Sequence, residues 1–339
     1  MGFIFRTCSW RRILLLLVVI GVCAVRIRLR EIPLDRDEGE YAYAGQLILQ
    51  GVPPYQLAYN MKLPGTYAVY AAVFAMFGES IQAIHLGLLL ANLATIVLVA
   101  CIGKHLFGSN GGLCSGVVYA VLACTPNVLG LAGNASHFVV LAAILGLWLL
   151  LEARESSKWL LAASGFFMGT AFVMKQPGAA FGVFGLFYLI AKRARLAAIS
   201  VYLAAAVLPI ALTCLILWRA GTFATFWFWT VSYGSQYGTI ITPEAGLLKL
   251  LGMLPEVVGP SILLWIIAAA GLMFTSHRSL LAGWLLASGA AVSAGLYFRS
   301  HYFVMLLPAL AFLCGAALTG LIGRGRRQSA VAVAVVTVA

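Results

Sequence analysis

Residues 84–102 read IHLGLLLANLATIVLVACI, nineteen consecutive residues without an acidic or a basic side chain other than one histidine. A run of about twenty apolar residues is the length that crosses the hydrocarbon core of a bilayer as a helix. Comparable runs recur along this chain of 339 residues, of which 63% are hydrophobic and 9% are charged. Because lipid offers no hydrogen-bond partners to the backbone, each run must satisfy its own amides by forming a helix. The sequence therefore predicts an all-α polytopic membrane protein.

We expect ten spans, followed by an eleventh that begins near residue 329 and is cut off by the end of the sequence. The ten lie at roughly 13–27, 84–102, 111–130, 135–151, 159–174, 178–191, 196–218, 250–274, 279–298 and 302–322. The run 66–77 is too short for an ordinary span, so we expect a re-entrant or interfacial helix there. Residues 1–339 are expected to form one transmembrane domain, truncated at its C-terminus.

The basic residues give this topology a test, because short cytoplasmic loops are enriched in lysine and arginine. If the N-terminus is cytoplasmic and 66–77 does not cross, every compact basic cluster after residue 100 falls inside. These clusters contain Lys104, His105, Arg154, Lys158, Lys192, Arg193, Arg195, His277, Arg278, Arg324, Arg326 and Arg327. A full crossing by 66–77 would place all of them outside, which the rule disfavours.

The outer face then collects the unusual polar residues. The stretch DRDEGE at 35–40 holds two aspartates and two glutamates of only ten acidic residues in the chain. A predicted amphipathic helix follows near 40–50, which Gly51 and the prolines after it end. Acids at a helix N-terminus are stabilised by the helix dipole, so capping on a solvated loop is the alternative to a catalytic role.

Several function classes are disfavoured. The net charge of +12 comes from residues scattered at predicted helix ends, which orient a membrane protein and do not indicate nucleic-acid binding. The seven cysteines lack CxxC spacing and mostly lie inside apolar runs, so they indicate neither a metal site nor a disulfide framework. No phosphate-binding glycine loop appears in a convincing context, which disfavours nucleotide hydrolysis.

Three groups of residues, in order, resemble glycosyltransferase family 39, which includes protein O-mannosyltransferases and lipid A aminoarabinose transferases. The first group is Asp37-Glu38-x-x-Tyr41, Gly51-x-x-Pro54-Tyr55, Lys62-Leu-Pro64-Gly65 and Phe77-Gly78. The second is the stretch from Gly165 to Ala179, and the third runs from Tyr302 to Leu310. The family has the C-type glycosyltransferase fold, so the resemblance implies that fold here.

The resemblance implies transfer of a hexosyl or pentosyl group from a polyprenyl-phosphate carrier, on the outer or periplasmic face of the cell membrane. The acceptor would be a hydroxyl or phosphate on a protein, lipid or glycan. Asp37 is the candidate general base, since a positioned carboxylate can take the acceptor proton. Glu38 would orient the acceptor or a divalent cation; no metal ligand set is assigned. With a single catalytic carboxylate, we expect inversion at the sugar.

The leaving phosphate requires cations, and each candidate has a structural alternative. The candidates are Lys62, Lys175, Arg299 and Arg28, the last in a cluster with Arg26 and Arg30. A lysine or arginine at a helix end can instead extend its side chain to the membrane interface. The substrate-binding candidates are Tyr41, Tyr55, His137, Tyr237, His301 and Tyr302. Packing, or an interfacial aromatic belt, is the alternative for these.

The chain departs from the family pattern at two places. Lys62-Leu63-Pro64 stands where lysine-proline-proline is usual, and Asn134-Ala-Ser-His137 stands where an acidic residue is common. The main rival function is a transporter or flippase of lipid-linked sugars. Transporters place ionisable residues near the bilayer midplane, whereas the acids here lie in an outer loop. A non-catalytic scaffold is a third reading, and it would not require acids and cations to converge.

Overall fold

The structure is a computed structural model that describes residues 10–153 and 157–323, and every regular element in these ranges is helical. The α-helices are α1 Trp10–Arg28, α2 Arg36–Leu49, α3 Gly65–Phe77, α4 Ile81–Leu122, α5 Ala135–Glu152, α6 Lys158–Met174, α7 Ala179–Ala191, α8 Leu196–Arg219, α9 Phe223–Trp227, α10 Gly234–Gly238, α11 Pro243–Val258, α12 Ile262–Gly271, α13 Arg278–Ser293 and α14 Leu307–Gly323. The predicted all-α class is confirmed.

Six of the described helical stretches are long and apolar enough to cross a membrane. They are Ile81–Leu122, Ala135–Glu152, Leu196–Arg219, Pro243–Gly271, Arg278–Leu296 and Ser300–Leu321. Shorter apolar helices cover Gly65–Phe77, Lys158–Met174 and Gln176–Ala191. The chain is therefore a multi-pass membrane protein. The predicted eleventh span near 329, and the basic residues Arg154, Arg324, Arg326 and Arg327, lie outside the described residues.

The longest helix, α4, is two antiparallel arms. Its backbone leaves the helical region at Gly108, where φ is 76° and ψ is −175°. Beyond that turn the chain folds back, so that a Cβ at Gly116 would lie 2.9 Å from the Cβ of Ala100. A positive φ is readily adopted only by glycine. The arms correspond to the predicted spans 84–102 and 111–130, although the second arm ends at Leu122.

The predicted span 250–274 is interrupted. Helix α11 ends at Val258 and α12 begins at Ile262, with a 3₁₀ turn between them. Pro255 lies inside α11 and Pro260 lies in the turn. A proline lacks the backbone N–H and clashes with the preceding turn, so Pro260 can interrupt a helix although the stretch is mostly apolar.

Glycines in α6 allow this helix to pack closely against α8. A Cβ at Gly165 or Gly169 would overlap the backbone carbonyl of Tyr202 or Ala206. Glycine at such positions lets two helix backbones approach closely. The predicted short helix at 66–77 is confirmed as α3, and its re-entrant or interfacial position stays a prediction. The end of α6 and the start of α3 meet at the candidate site.

Candidate active site

The acidic stretch forms the first turn of α2, because Asp35 and Glu38 build a capping box. The Asp35 side chain accepts a hydrogen bond from the backbone N–H of Asp37. The Glu38 carboxylate accepts one from the backbone N–H of Asp35 at 2.8 Å. This reciprocal pairing satisfies amides that a helix N-terminus leaves unpaired. The helix therefore begins at Arg36 and not near residue 40, and the acids lie inside it.

Helical geometry then separates the acids onto different faces. Asp37, Glu40 and Tyr41 are three and four positions apart, so their side chains are neighbours on one face. Glu38 is one position on from Asp37, which rotates it about 100° around the helix. Neighbouring carboxylates in the sequence are therefore directed to different surroundings.

Asp37 lies in a buried position, its side chain only 7% exposed. Its Oδ1 lies 3.2 Å from the Nζ of Lys62, and its Oδ2 lies 3.9 Å from the Nε2 of His301. Burial by itself raises the pKa of this carboxyl, but the charge and hydrogen bond of Lys62 outweigh it and hold the pKa below its usual value. Asp37 is therefore ionised at neutral pH.

Lys62 is shared between two carboxylates. Its Nζ donates to Oε2 of Glu40 at 2.8 Å and lies 4.6 Å from the centre of the Tyr41 ring. The hydroxyl of Tyr67 donates to the other oxygen of Glu40 at 3.1 Å. The hydroxyl of Tyr55 donates to the backbone carbonyl of Lys62 at 2.6 Å. Lys62 is thus fixed both at its backbone and at its ammonium group.

Two short segments of nearly identical sequence meet here. Residues 61–65 read MKLPG and residues 174–178 read MKQPG; we call them the first and second lysine segments. The side-chain amide of Gln176 donates to the backbone carbonyl of Met61. A Cβ at Gly65 would lie 2.5 Å from a backbone carbonyl oxygen at the end of α6. Any residue larger than glycine at position 65 would therefore hold the two segments apart.

Lys175 of the second lysine segment has no carboxylate partner within ion-pair distance among the described residues. Its Nζ lies 3.8 Å from the centre of the Tyr302 ring, a cation–π contact. Burial lowers the pKa of Lys175 to about 7; the negative charge of Asp37 opposes this, and the positive charges of Lys62 and Arg299 add to it. A substantial fraction of Lys175 is therefore neutral just above pH 7.

The cluster is completed by a 3₁₀ segment, Ser300–Leu306, which precedes α14. Its His301 and Tyr302 rings meet edge to face, with centroids 4.8 Å apart. We call Asp37, Lys62, Lys175, His301 and Tyr302 the acid–lysine cluster. Its members come from four separate parts of the chain, and the structure brings them together as one site.

Arg299 lies beside this cluster at the end of a series of aromatic rings. Its Nη2 donates to the Tyr237 hydroxyl at 3.2 Å. The Tyr237 ring stacks on Tyr297 with centroids 4.6 Å apart and planes 7° apart. The ring contacts continue through Tyr233, Trp229 and Tyr59. Tyr237 is therefore linked to the predicted phosphate-binding residue Arg299 and is also part of this series of ring contacts.

Glu38 is not part of the cluster. It is 1% exposed, accepts a hydrogen bond from the backbone N–H of Gly133, and has Oε1 3.4 Å from the Nε2 of His85. Together with the capping contact to Asp35, these partners occupy the carboxylate. Glu38 faces away from the cluster because it is rotated about α2 relative to Asp37. Its predicted contact with an acceptor or a divalent cation stays a prediction, and these contacts do not support it.

The arginines after the first span are also placed elsewhere. Arg28 is exposed at the end of α1. The Nη2 of Arg26 donates to the carbonyls of Ala123 and Gly130, at 2.7 and 2.9 Å. None of the described polar contacts joins Arg28 to the acid–lysine cluster. The predicted phosphate-binding role of Arg28 has no support in this geometry.

Three predicted substrate-binding residues are buried. Tyr41, Tyr55 and His137 are each at most 2% exposed. Tyr41 and Tyr55 contact Lys62 and so help to fix its position. His137 lies in the first turn of α5, the helix whose Ser136 side chain approaches Lys175 with Oγ 3.4 Å from Nζ.

The sequence leaves Glu40 open between helix capping and function, and it assigns no role to Ser136. The spacing of three between Asp37 and Glu40 is a signal that both carboxylates share a helical face. Ser136 gave no signal apart from its place beside His137. Within the ranges the structure describes, no group of three or more His, Cys, Asp or Glu side chains is placed to hold a metal ion.

Comparison with known proteins finds a match to one family over nearly half of the chain. Residues 62–218 match the family described as dolichyl-phosphate-mannose-protein mannosyltransferase. The resemblance to glycosyltransferase family 39 is thereby confirmed for these residues, which include both lysines of the lysine segments. A curated relative from Bacillus subtilis (strain 168), "Putative mannosyltransferase YkcB", is 32% identical over 139 residues. That alignment covers 39% of this chain and 19% of the relative.

Two solved structures have similar folds. ArnT from Cupriavidus metallidurans bound to undecaprenyl phosphate aligns with a TM-score of 0.63 and 21% identity, covering 94% of this chain and 63% of ArnT. The oligosaccharyltransferase of Archaeoglobus fulgidus, in complex with Zn and sulfate, aligns with a TM-score of 0.59 and 13% identity, covering 94% of this chain and 51% of that protein. The predicted C-type glycosyltransferase fold is confirmed, and this chain spans about half to two thirds of those structures.

Proposed function

We propose that this protein is a membrane glycosyltransferase that moves a sugar from a polyprenyl-phosphate carrier to an acceptor hydroxyl or phosphate. The observation that carries the proposal is the acid–lysine cluster: one ionised, buried carboxylate, Asp37, beside Lys62 and near Lys175. A base for the acceptor and cations for a leaving phosphate are the groups that this reaction needs. The family match and the fold agree with this chemistry.

In this mechanism Asp37 accepts the proton of the acceptor as its oxygen attacks the anomeric carbon of the sugar. The bond between that carbon and the carrier phosphate breaks, and the phosphate leaves with the electron pair. A positioned general base contributes about 10²–10⁴-fold to such a step. The low pKa of Asp37 keeps it ionised, and therefore able to accept a proton, throughout the neutral range.

Lys62 and Lys175 stabilise the negative charge on the departing phosphate, with Arg299 at the edge of the site. Before substrate binds, Lys62 is held by Asp37 and Glu40 at 3.2 and 2.8 Å. A carrier phosphate competes for the same ammonium group. Once it draws Lys62 away, Asp37 loses a stabilising partner and becomes a stronger base. Donor binding thereby activates the base.

Inversion at the sugar follows if Asp37 is the only carboxylate that reaches the reacting atoms. Retention needs a carboxylate nucleophile as well as an acid/base. Glu40 is the second nearby carboxylate, and both of its oxygens are held, one by Lys62 and one by Tyr67. Glu40 therefore serves as an anchor for Lys62.

The carrier, the membrane face and the domain organisation belong to the same proposal. ArnT, a protein of similar fold, binds undecaprenyl phosphate, which supports a polyprenyl phosphate as the carrier. The distribution of basic residues supports an outer or periplasmic site on the cell membrane. We propose a mannose-like sugar from the description of the matched family, and one transmembrane domain over 1–339. The acceptor is a protein, a lipid or a glycan.

The test is transfer by purified protein reconstituted in vesicles with polyprenyl-phosphate sugars and candidate acceptors. Asp37→Asn should reduce the transfer rate by about 10²–10⁴-fold. Glu31→Gln is the matched control, because Glu31 precedes the same helix, and its side chain is 69% exposed. An undiminished rate for Asp37→Asn would refute the base. Movement of the carrier across the bilayer without transfer would favour the flippase.

A further inference from the structure

A recess lies between the end of α1 and the start of α4 and shares no residue with the acid–lysine cluster. It is a cavity of about 390 Å³. Its polar wall includes Arg26, Arg30 and Ser80, and its apolar wall includes Ile27, Leu86 and Leu89. The cavity therefore joins a cationic end to an apolar end.

Arg26 is the buried cation of this recess, at 5% exposure. The carbonyls of Ala123 and Gly130 hold its Nη2, which fixes the guanidinium in place. Its Nε is buried as well, so Arg26 offers a ligand in the recess its positive charge and not a free N–H. The side chain is thus a fixed positive charge beside the recess.

Arg30 supplies a second positive charge at the mouth of the recess. Its side chain is 54% exposed, and its Nε lies 3.8 Å from the carboxylate of Glu31. A contact of this length between exposed groups contributes little stability. The guanidinium is therefore free to turn to a ligand that presents a stronger acceptor.

The N-terminus of α4 lies at the same polar end. Ser80 is its N-cap and accepts a hydrogen bond from the backbone N–H of Ala83. Both Ser80 and Ala83 line the recess. The first-turn amides and the dipole of a helix favour a bound anion. Together with the two arginines, this end of the recess matches a phosphate group.

The apolar wall distinguishes a lipid from a free anion. Ile27 and Leu86 are 49% and 37% exposed and lie on α1 and α4, which our topology places at the outer membrane boundary. An acyl chain could cover these side chains while its headgroup reaches the arginines. Basic pockets beside transmembrane helices are typical sites for anionic lipid headgroups.

We propose that this recess binds the phosphate headgroup of an anionic membrane lipid. The site is separate from the carrier site of the proposed function and stands without it. It also accounts for two of the three arginines after the first span, which our topology places on the outer side, where the positive-inside rule does not expect them. Arg26 and Arg30 belong to the recess, whereas Arg28 does not line it.

His85 connects the recess to helix α2, which carries Asp37 and Glu38. It lines the cavity, its Nδ1 lies 2.8 Å from the carbonyl oxygen of Arg30, and its Nε2 lies 3.4 Å from Oε1 of Glu38. Glu38 in turn caps α2, which carries Asp37. A lipid that orders Arg30 would therefore also steady His85 and the capping box.

The experiment is native mass spectrometry of the purified full chain, titrated with phosphatidylglycerol and, separately, with zwitterionic phosphatidylcholine. We expect saturable retention of phosphatidylglycerol over phosphatidylcholine. Arg30→Gln should weaken it by roughly tenfold, since it removes a charge-assisted contact. Arg28→Gln is the matched control, being an exposed arginine at the same helix end, and should leave binding unchanged.

Two further measurements decide the source of the anion. Leu86→Trp narrows the apolar end and should reduce lipid retention while leaving any binding of inorganic phosphate intact. If inorganic phosphate binds alone and displaces the lipid at equal concentration, the ligand is a free anion and the lipid assignment fails. Equal loss in the Arg28→Gln and Arg30→Gln variants, or equal retention of both lipids, would overturn the recess as a headgroup site.

Discussion

The two lysine segments differ at one position of five, yet their lysines have different surroundings. Lys62 lies 3.2 Å from Asp37 and 2.8 Å from Glu40. Lys175 lies over the Tyr302 ring, and its pKa is lowered to about 7. The same local pattern thus gives one lysine that is ion-paired with two carboxylates and one that is poorly solvated. The difference teaches that neighbours from other parts of the chain, and not the segment itself, set the surroundings of each lysine.

The largest expected effect comes from removing the paired lysine. Lys62→Met should lower kcat/KM for transfer by about 10²–10³-fold, the scale of losing one donor to a developing oxyanion. The pKa of Asp37 should also rise, because the cation that lowers it is gone. As the pH is lowered, the variant should therefore lose the stability and activity that depend on ionised Asp37 at a higher pH than the wild type does. A pH–rate profile measures both effects.

Lys158→Met is the control for this prediction, because Lys158 is an exposed lysine at the start of α6. It should leave the rate and the profile unchanged. If Lys62→Met retains the full rate, the two lysines are not functionally distinct and the comparison fails.

A second change tests the contact between the segments. Gly65→Ala would place a Cβ 2.5 Å from the carbonyl oxygen of Val173. Backbone must shift to relieve this overlap, which costs about 1–3 kcal/mol of stability. The thermal unfolding midpoint in detergent measures the loss. Gly39→Ala, in α2 with no atom within 4 Å of its added Cβ, should be neutral or slightly stabilising; equal midpoints for the two variants would contradict the close contact.

The smallest expected effect concerns the pH dependence of Lys175. Its pKa of about 7 means that the cation is present below pH 7 and is lost as pH rises through that value. The KM for the donor should therefore rise by up to about tenfold between pH 6 and pH 8, since one pKa unit corresponds to 1.36 kcal/mol of interaction. Lys175→Arg keeps its charge throughout this range and should flatten the dependence. A wild-type KM independent of pH would refute the role.

Helix α2 illustrates how much of a helix can be predicted from the sequence. Its existence, its end near Gly51 and its acidic N-terminus were predicted, because helical periodicity and glycine–proline signals are local. Its start was placed too late, since the capping box between Asp35 and Glu38 depends on side-chain geometry. The functional pairing of Asp37 and Glu38 followed the family pattern, and the structure separates them because successive helical residues diverge by about 100°.

The membrane spans show the same contrast between what local sequence signals predict and what they miss. Apolar run length predicted the helices at 84–102, 135–151, 159–174, 178–191 and 196–218 closely, whereas the helix predicted at 111–130 ends at Leu122. Two of these, Lys158–Met174 and Gln176–Ala191, are shorter than an ordinary span. The break between α11 and α12 at Pro260 was not predicted, because hydropathy counts apolar residues and ignores the loss of backbone hydrogen bonds at proline.

The sequence alone determined that this chain is a multi-pass helical membrane protein and named most of the charged residues of its site, because run length, charge and motif order are properties of neighbouring residues. Only the tertiary structure decided which of those residues touch. Asp37 meets Lys62 while Glu38 meets Gly133, and Arg26 turns to backbone carbonyls, because contact depends on helix rotation and on packing between segments that are far apart in the sequence.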